Sequence, residues 1–552
     1  MTRKTGRKAL VRTTRPIGIA FRSEDRSVSD LKDVPVDVAE APPRRLPLLS
    51  AALIGVLSLA AALASGHLVA AFIGPNGSPY VAVANAVIDN SPQSIVEWAK
   101  DTFGTADKLI LKVGMAVVMV LVAIGAGLIS RRKPLPGQIV FGIFGVVGVL
   151  AVYNRPDLGQ IAVLAPIVSL LAGVLVFAWL HRILLPETFG DVSREEGPNR
   201  RKFLVTSAGV AVGAGVAGLG GQLIGSSKDA EVSRAAVGPL VAAKTVPPIP
   251  ADADFAKMGT PTFITPNRDF YRIDTALAIP QVRTEDWSLR IHGMVDKELT
   301  FSYADIRNRP LIERTITMTC VSNPVGGPYI SNATWIGVDL AELLAEAGVQ
   351  PGAEQLFSTS VDGWTSGSPV PVVTDPNRGA MLAIGMNGEP LPVEHGFPAR
   401  LVVPGLYGYV SATKWVTDIE LTTWQAREGY WLSRGWGVLG PIKTESRIDR
   451  PQGFDDVPAG KVTVSGISWA QHTGIEKVEV RLDQGQWRTA ELSAEVNVDT
   501  WRMWWLDLDV PKGEHQVFVR ATDKTGYTQT DQRVDTVPDG ATGWHTTSFS
   551  TR

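Results

Sequence analysis

Cysteine is almost missing from this chain: Cys320 is the only one among 552 residues. That excludes an internal disulfide, a self-contained iron–sulfur site and C-x-x-C-H haem attachment, each of which needs at least two cysteines. Net charge is nearly absent too. The 53 Lys and Arg against 55 Asp and Glu leave −2, which excludes a nucleic-acid footprint and a polyacidic tail. Charge is scarcest in roughly the first 230 residues, whose long apolar runs lack Asp, Glu or Lys at mid-depth and so offer no ion pathway. His67 and His181 are the only histidines there, near opposite faces of the expected membrane, which argues against an axial pair for haem.

What the first half does contain is membrane-length hydrophobicity. Apolar runs at about 47–73, 107–130, 137–153 and 159–180, and a weaker Gly/Ala-rich run at 203–225, predict about five helices able to cross about 30 Å of hydrocarbon, 137–153 being marginal. Arg44 and Arg45 precede the first, Arg131, Arg132 and Lys133 follow the second, and Arg200, Arg201 and Lys202 precede the fifth. Placing these clusters inside predicts a disordered cytoplasmic tail at 1–45, a transmembrane region at 46–226 and everything later outside a plasma membrane. "NRRKFLV" reads either as an ordinary basic flank or as a twin-arginine export signal retained as an anchor. Gly213, Gly215 and Gly218 spell G-x-G-x-x-G, but no strand precedes them, so close helix packing is the expectation rather than a nucleotide site.

Composition shifts afterwards. Residues 227–255 are small, polar and Pro-rich, the pattern of an extracytoplasmic linker. From about 256 to 452, short strands separated by Gly, Pro and Asn turns, with helices such as 338–347 capped by Asp339 or a neighbour, predict an α+β domain. A boundary at "RPQGFDDVPAGK" leaves 453–552, where alternating segments at 461–469, 475–482, 487–492, 501–508 and 514–522 predict a β-sandwich of immunoglobulin-like type. Trp469, Trp487, Trp501 and Trp505 are its expected packing aromatics.

A lone thiol is most often a small core residue. In an exported domain, however, an uncommitted thiol is exposed to oxidation. Cys320 also ends a β-branched stretch and precedes the loop-forming "VSNPVGG", where functional groups tend to be displayed. Thiolate suits a soft or high-valent metal.

Here the sequence resembles a known family. Residues 261–450 are similar to the molybdopterin domain of the sulfite oxidase family, and 456–530 to the immunoglobulin-like domain that follows it there. The match rests on "TPNRDFYRIDT", "TITMTC", "SNATWIGVDLAELL", "VDGWTSG" and above all "MNGEPLPVEHGFPARLVVPGLYGYVSATKW". The resemblance implies that Cys320 donates its sulfur to molybdenum while a pterin dithiolene supplies the other sulfurs. It implies that Asn267, Phe270, Tyr271, Arg272 and Asp362 line the cofactor and that Trp335 borders the substrate pocket. His395 and Arg400 would contact the pterin phosphate, and Gly405, Gly408, Ser411, Thr413 and Lys414 would form its cradle. The catalytic set is then Cys320, Trp335 and Arg272.

The chain departs from sulfite oxidases where those carry arginines. After the cysteine it reads Asn323, Pro324, Val325, Gly326, Gly327, and before Lys414 it reads "YVSAT". A dianionic substrate would lose charge-assisted contacts worth about 1.5–3 kcal/mol each. Oxygen-atom transfer with a small S- or N-oxide is therefore the leading expectation, followed by sulfite oxidation using Arg272 and other basic residues. A membrane-tethered binding protein with a degenerate fold is a third reading; the polar-poor spans disfavour a transporter. No haem, flavin or iron–sulfur segment is read in the chain, so a separate electron partner, a quinone-linked protein or a cytochrome, is expected. The expected partners also include membrane lipid and, through the sandwich, a second copy.

Overall fold

The structure is a computed structural model that describes residues 45–552 apart from 74–76, 93–94, 96–97, 100–101, 104–106, 156–157, 159, 186–199, 227–229 and 278. The expected N-terminal tail lies outside the described residues, as does part of the linker.

The helices of the first half are α1 (Leu48–Ile73), α2 (Pro79–Asp89), α3 (Asp107–Ile129), α4 (Leu135–Tyr153), α5 (Leu164–Leu184) and α6 (Arg200–Ser226). Five stretches, all but α2 among them, are long and apolar enough to cross a membrane. Successive spans run in opposite directions. Leu46 N–H donates to Arg131 O at 2.9 Å, joining the start of α1 to the end of α3, and His181 Nε2 lies 2.7 Å from Ser130 O. At the other end, Gly221 of α6 packs on His67 of α1. The α1–α3 crossing is backbone on backbone: a Cβ on Gly55 would fall 1.9 Å from Ala123 O, and one on Gly127 1.9 Å from Ala51 O. Glycine is required at both positions.

Helix α6 corrects one expectation. It touches α1 through Phe203, Ser207, Val210 and Gly221, spaced as one helical face. Gly213, Gly215 and Gly218 sit elsewhere, and an added Cβ at each meets nothing within 4 Å. Close packing inside this chain does not explain those three glycines.

The expected linker is not loose either. Helix α7 (Ala230–Val237) buries Ala230, Ser233 and Val237 against the following domain. Beyond it, Ala243 N–H donates to Leu311 O and Glu313 N–H to Lys244 O. The i, i+3, i+7 spacing of small or apolar residues, with Ser233 bonded to Thr284, and the free edge of β3 together fasten what composition alone reads as a tether.

The α+β domain holds β1 (Ser288–Gly293), β2 (Leu299–Ser302), β3 (Ile312–Thr319), β4 (Ile330–Asp339), β5 (Gln355–Ser360), β6 (Thr365–Pro369), β7 (Met381–Met386), β8 (Glu389–Pro390), β9 (Arg400–Val402) and β10 (Val416–Thr422). One sheet runs β2-β1-β10-β5-β6, with β1 parallel to β10 and the other pairs antiparallel; the second runs β3-β4-β7-β8, with β9 also on β7. A helix at Leu340–Ala347 starts where expected: Asp339 Oδ1 accepts from Ala341 N–H at 2.9 Å. The two sheets share one core, which includes Ile291, Trp335, Leu382 and Ile419.

The last domain is β-rich. Its strands are β11 (Glu445–Arg450), β12 (Asp456–Val457), β13 (Gly460–Trp469), β14 (Ile475–Leu482), β15 (Arg488–Thr489), β16 (Glu491–Leu492), β17 (Arg502–Val510), β18 (Gly513–Asp523) and β19 (His545–Thr551). They form sheets β11-β13-β17-β16 and β12-β19-β18-β14-β15, joined by a core of Val464, Val480, Trp504, Val519 and Phe549. Because β11 pairs with β13, this unit begins before residue 453. The aromatics are also redistributed. Trp504, not Trp505, fills the core, since it occupies the inward register of β17. Trp469 and Trp501 instead join Phe263 and Ile330 of the neighbouring domain, and Trp487 packs edge-on against Trp544 at 4.9 Å.

That interdomain contact places Cys320. Two turns of the β-rich domain close the outer edge of β3: Thr317 N–H donates to Asp499 O before β17 at 2.9 Å, and Gln471 Nε2 of the β13–β14 turn donates to Thr317 O at 3.0 Å. A strand buried on both sides has little freedom, so its last residues are rigid mounts.

Candidate functional site

Strand β3 ends at Thr319, and the chain turns at once: Asn323 N–H donates to Cys320 O, and Cys320 N–H to Tyr329 O, both at 3.0 Å. Asn323 Oδ1 accepts from Tyr329 N–H at 2.8 Å, closing the loop from inside. The half-buried Cys320 Sγ, 3.0 Å from Ser322 Oγ, is left on the wall of an open cavity.

The remaining wall comes from segments distant in sequence but brought together where the two sheets meet. The strap 270–275 forms one side, the β5–β6 turn with Ser360, Asp362 and Trp364 another, and His395, Arg400, Gly408 and Lys414 the base. Trp415, Trp431, Trp436 and Tyr409 make the far side aromatic.

The electrostatics are lopsided. Arg272, Arg400 and Lys414 all reach the cavity, against Asp274 and Asp362. Asp274 is shared: Lys414 Nζ is 2.8 Å and Arg272 Nε 3.2 Å from its Oδ2, and Lys108 Nζ is 3.1 Å from its Oδ1. Burial works against this carboxylate, yet Lys414, Lys108 and Arg272 outweigh it and hold its pKa at about 2. For Lys414 burial wins over Asp274 and lowers the ammonium to about 8. Burial likewise lowers Arg400 to about 10.

Arg400 donates to His395 O at 3.1 Å and to Ala412 O at 3.3 Å. His395 Nε2 lies 3.0 Å from Asn267 O. A carbonyl only accepts, so the proton sits on Nε2. Burial, then Arg400, depresses the imidazole to about 3, which keeps it neutral. Tyr271 stacks on Phe270 with ring centroids 5.5 Å apart, and burial raises its phenol well above the usual range.

Cys320, Phe270, Tyr271, Arg272, Asp362, His395, Arg400, Gly408 and Lys414 are thus brought to one cavity. Others among the expected residues are not. Trp335 is fully buried and does not reach the cavity; its Nε1 donates to Ile316 O at 3.3 Å, and it packs behind Phe270 and Arg400. It lies behind the wall rather than on it, because β4 points this side chain into the core. Asn267 also stays off the wall, bonded to Asn387 and Glu389. Ser411 Oγ donates to Leu406 O at 3.1 Å, and Thr413 Oγ1 pairs with Ser358 Oγ at 2.7 Å. Gly405, at φ +76°, has Arg378 against the place a Cβ would take. These three shape the loop from beneath rather than line the cavity.

Asp274 and Lys108 escaped the sequence reading. Asp274 lies within "FYRIDT", two residues after Arg272, and an acid following a cofactor-directed arginine was the available signal. Lys108 stands at the head of an apolar run with Lys112 one turn on, which reads as an ordinary interfacial flank.

The residues present fit a molybdenum–pterin group. A thiol on the wall offers a soft ligand, and the basic side chains offer an anion site. Two buried polar atoms of the wall, Ser360 Oγ and Trp436 Nε1, have no hydrogen-bond partner among the described residues, as expected where a polar ligand completes the bonding.

Comparison with known proteins agrees. Residues 276–431 match the oxidoreductase molybdopterin binding domain, and 441–549 the Mo-co oxidoreductase dimerisation domain. Mitochondrial sulfite oxidase of Macaca fascicularis is 31% identical over 303 residues, covering 47% of this chain and 55% of that protein. The oxidoreductase YuiH of Bacillus subtilis is 33% identical over 154 residues, covering 28% of this chain and 74% of that one. The sulfane dehydrogenase SoxCD structure from Paracoccus pantotrophus aligns with 26% identity and a TM-score of 0.47 over 53% of this chain and 85% of that one. The chain spans about half the length of the sulfite oxidases it matches. A protein with this domain pair is a molybdopterin-dependent oxidoreductase. Within that class, the chain belongs to the sulfite oxidase family.

Proposed function

We propose that this protein is a membrane-anchored oxidoreductase that takes an oxygen atom from a small, neutral or weakly charged S- or N-oxide, or returns one to the corresponding sulfide or amine, at a Cys320-ligated molybdenum outside the membrane. The observation that carries the substrate class is the assignment of the wall's cations: their surplus of positive charge belongs to the base where the pterin phosphate would rest, and the cysteine loop adds none for a substrate dianion. Arg272 and Lys414 share Asp274, and Arg400 is committed to two main-chain carbonyls and the face of Trp335. Asn323 turns into its own loop and adds no charge. The rest of the wall is largely aromatic, which suits a weakly charged substrate better than a dianion.

When bound, the metal–pterin group supplies the two-electron oxygen-transfer chemistry. The chain's own residues do the positioning. Cys320 is held by the β3 turn as the protein thiolate ligand. His395, Arg400, Lys414 and Arg272 form the anion-binding base on which the pterin phosphate would rest. Trp364, Trp431 and Trp436 exclude water from the aromatic side of the cavity. We read the sandwich as immunoglobulin-like and as the surface through which two copies pair, the five spans as a plasma-membrane anchor, and the electron partner as a separate protein.

The test has two parts. Full-length protein should hold near-stoichiometric molybdenum and pterin, and X-ray absorption should show one sulfur beyond the dithiolene that Cys320→Ser removes. A panel of S- and N-oxides with a reduced dye donor should then show turnover. Sulfite oxidation at micromolar KM without oxide reduction would reject the substrate class. That outcome is the second reading: the matched relatives include sulfite oxidases, and Arg272, Arg400 and Lys414 do border the cavity.

A further inference from the structure

The membrane helices do more than anchor the domain. At the head of α3, Lys108 Nζ donates to Asp274 O at 2.7 Å and Ala276 O at 3.1 Å besides pairing with the Asp274 carboxylate. One turn on, Lys112 Nζ donates to Leu277 O at 3.0 Å, and Lys112 O accepts from Tyr80 of α2. The strap 272–277 carrying Arg272 is thus pinned through its own carbonyls. Across the cavity, Asp89 at the end of α2 accepts from Tyr430 Oη at 3.2 Å, and its carbonyl accepts from Arg434. Tyr430 adjoins Trp431 of the aromatic wall. Both lips of the cavity are held from the membrane side.

Resting on the reading that the base of this cavity binds the pterin phosphate, we infer that Lys108 is a positioning residue of that site. By taking Asp274 Oδ1 it leaves Arg272 and Lys414 to divide Oδ2, and so keeps positive charge available to an anion in the cavity. The charge count gives the effect its sign. Around Asp274, whose side chain is 5% exposed, three cations face one carboxylate. Removing Lys108 lowers the local surplus from two positive charges to one and turns the whole carboxylate onto Arg272 and Lys414. Asp274 and Lys414 are enclosed, so the loss is weakly screened between them, whereas the more exposed Lys108 and Arg272 feel it through water. The arrangement also gives the membrane region a function in the site that a single anchoring span would not supply.

The experiment uses full-length protein in detergent and follows pterin release during dialysis at raised ionic strength, read by fluorescence of the oxidised pterin. Lys108→Met is expected to release cofactor about tenfold faster than wild type. Lys108→Arg, which keeps the charge, should stay within about threefold of wild type. The double variant Lys108→Met/Asp274→Asn restores the surplus of two positive charges and should recover most of the retention. This rescue separates a role through charge from a merely mechanical one. Equal retention in Lys108→Met and wild type, or a double variant as leaky as the single one, overturns the inference. A wild type devoid of pterin overturns the functional reading with it, whereas a loaded wild type beside an equally loaded Lys108→Met overturns this inference alone.

Discussion

The guanidinium of Arg400 lies over the indole of Trp335, 5.0 Å from the ring centroid, with the indole fully buried beneath it. The cavity's most enclosed cation therefore rests on the core of the domain, and its direction depends on that core being filled.

Trp335→Ala should then act on two levels. The lost burial and the cavity left behind cost about 3–5 kcal/mol of stability, and Arg400 loses the surface that aims it. Denaturant unfolding of the detergent-solubilised protein should show the first, and faster pterin release the second. Trp335→Phe should cost about half as much and keep most of the pterin. Unchanged retention in the Ala variant would show that Arg400 needs no platform.

His395 sets a pH dependence on the acid side. Burial and Arg400 lower its folded pKa to about 3, against 6.5 for the ordinary imidazole. The unfolded chain takes up the proton first, so this contribution is intact above about pH 6.5 and is lost as pH falls toward 3. Thermal midpoints measured from pH 7.5 to 4 should fall more steeply in wild type than in His395→Gln. Parallel curves would remove His395 as the cause.

Glu445 works in the opposite direction. It is buried at the start of β11, its Oε1 has no hydrogen-bond partner among the described residues, and burial raises its carboxyl from 4.5 to about 8. Its neutral form is favoured in the fold, so stability falls as pH rises from about 4.5 through 8. Glu445→Gln should raise stability by about 1–3 kcal/mol near pH 8, with the gain shrinking to nothing near pH 4.5. A gain that does not grow with pH would refute this origin.

The α1–α3 crossing predicts an intolerant pair. Gly127→Val or Gly55→Val would place side-chain carbon against a facing carbonyl now only 1.9 Å from an ideal Cβ. The helices must separate, which shifts α3 and the Lys108 contact at its head. Both a lower thermal midpoint in detergent and accelerated pterin release are expected. Gly213→Val on the open face of α6 is the control and should leave both unchanged.

Much of this protein was legible in its sequence because the signals are local. Apolar runs of membrane length, the Asp339 cap and the alternation of "KVEVRL" each require only near neighbours, and the helices and strands stand there. The sole cysteine at a strand end and the run 386–415 located the site through the resemblance they carry. Local signals fail where a side chain's role depends on what faces it. Trp504 and Trp505 are adjacent and identical, and only the register of β17 sends one into the core. Trp335 was expected at the cavity, and the orientation of β4 turns it into the core instead.

The sequence by itself determined where the chain is apolar, where it turns, and that only one thiol was available as a protein sulfur ligand. Tertiary structure decided which charges share a carboxylate. Lys108, Arg272 and Lys414 are separated by 164 and 142 residues and meet at Asp274 only because the helices and both sheets pack around one cavity. The physical reason is range: helix and strand formation is driven by neighbours along the chain, whereas an ion cluster around a buried carboxylate exists only once distant segments have met.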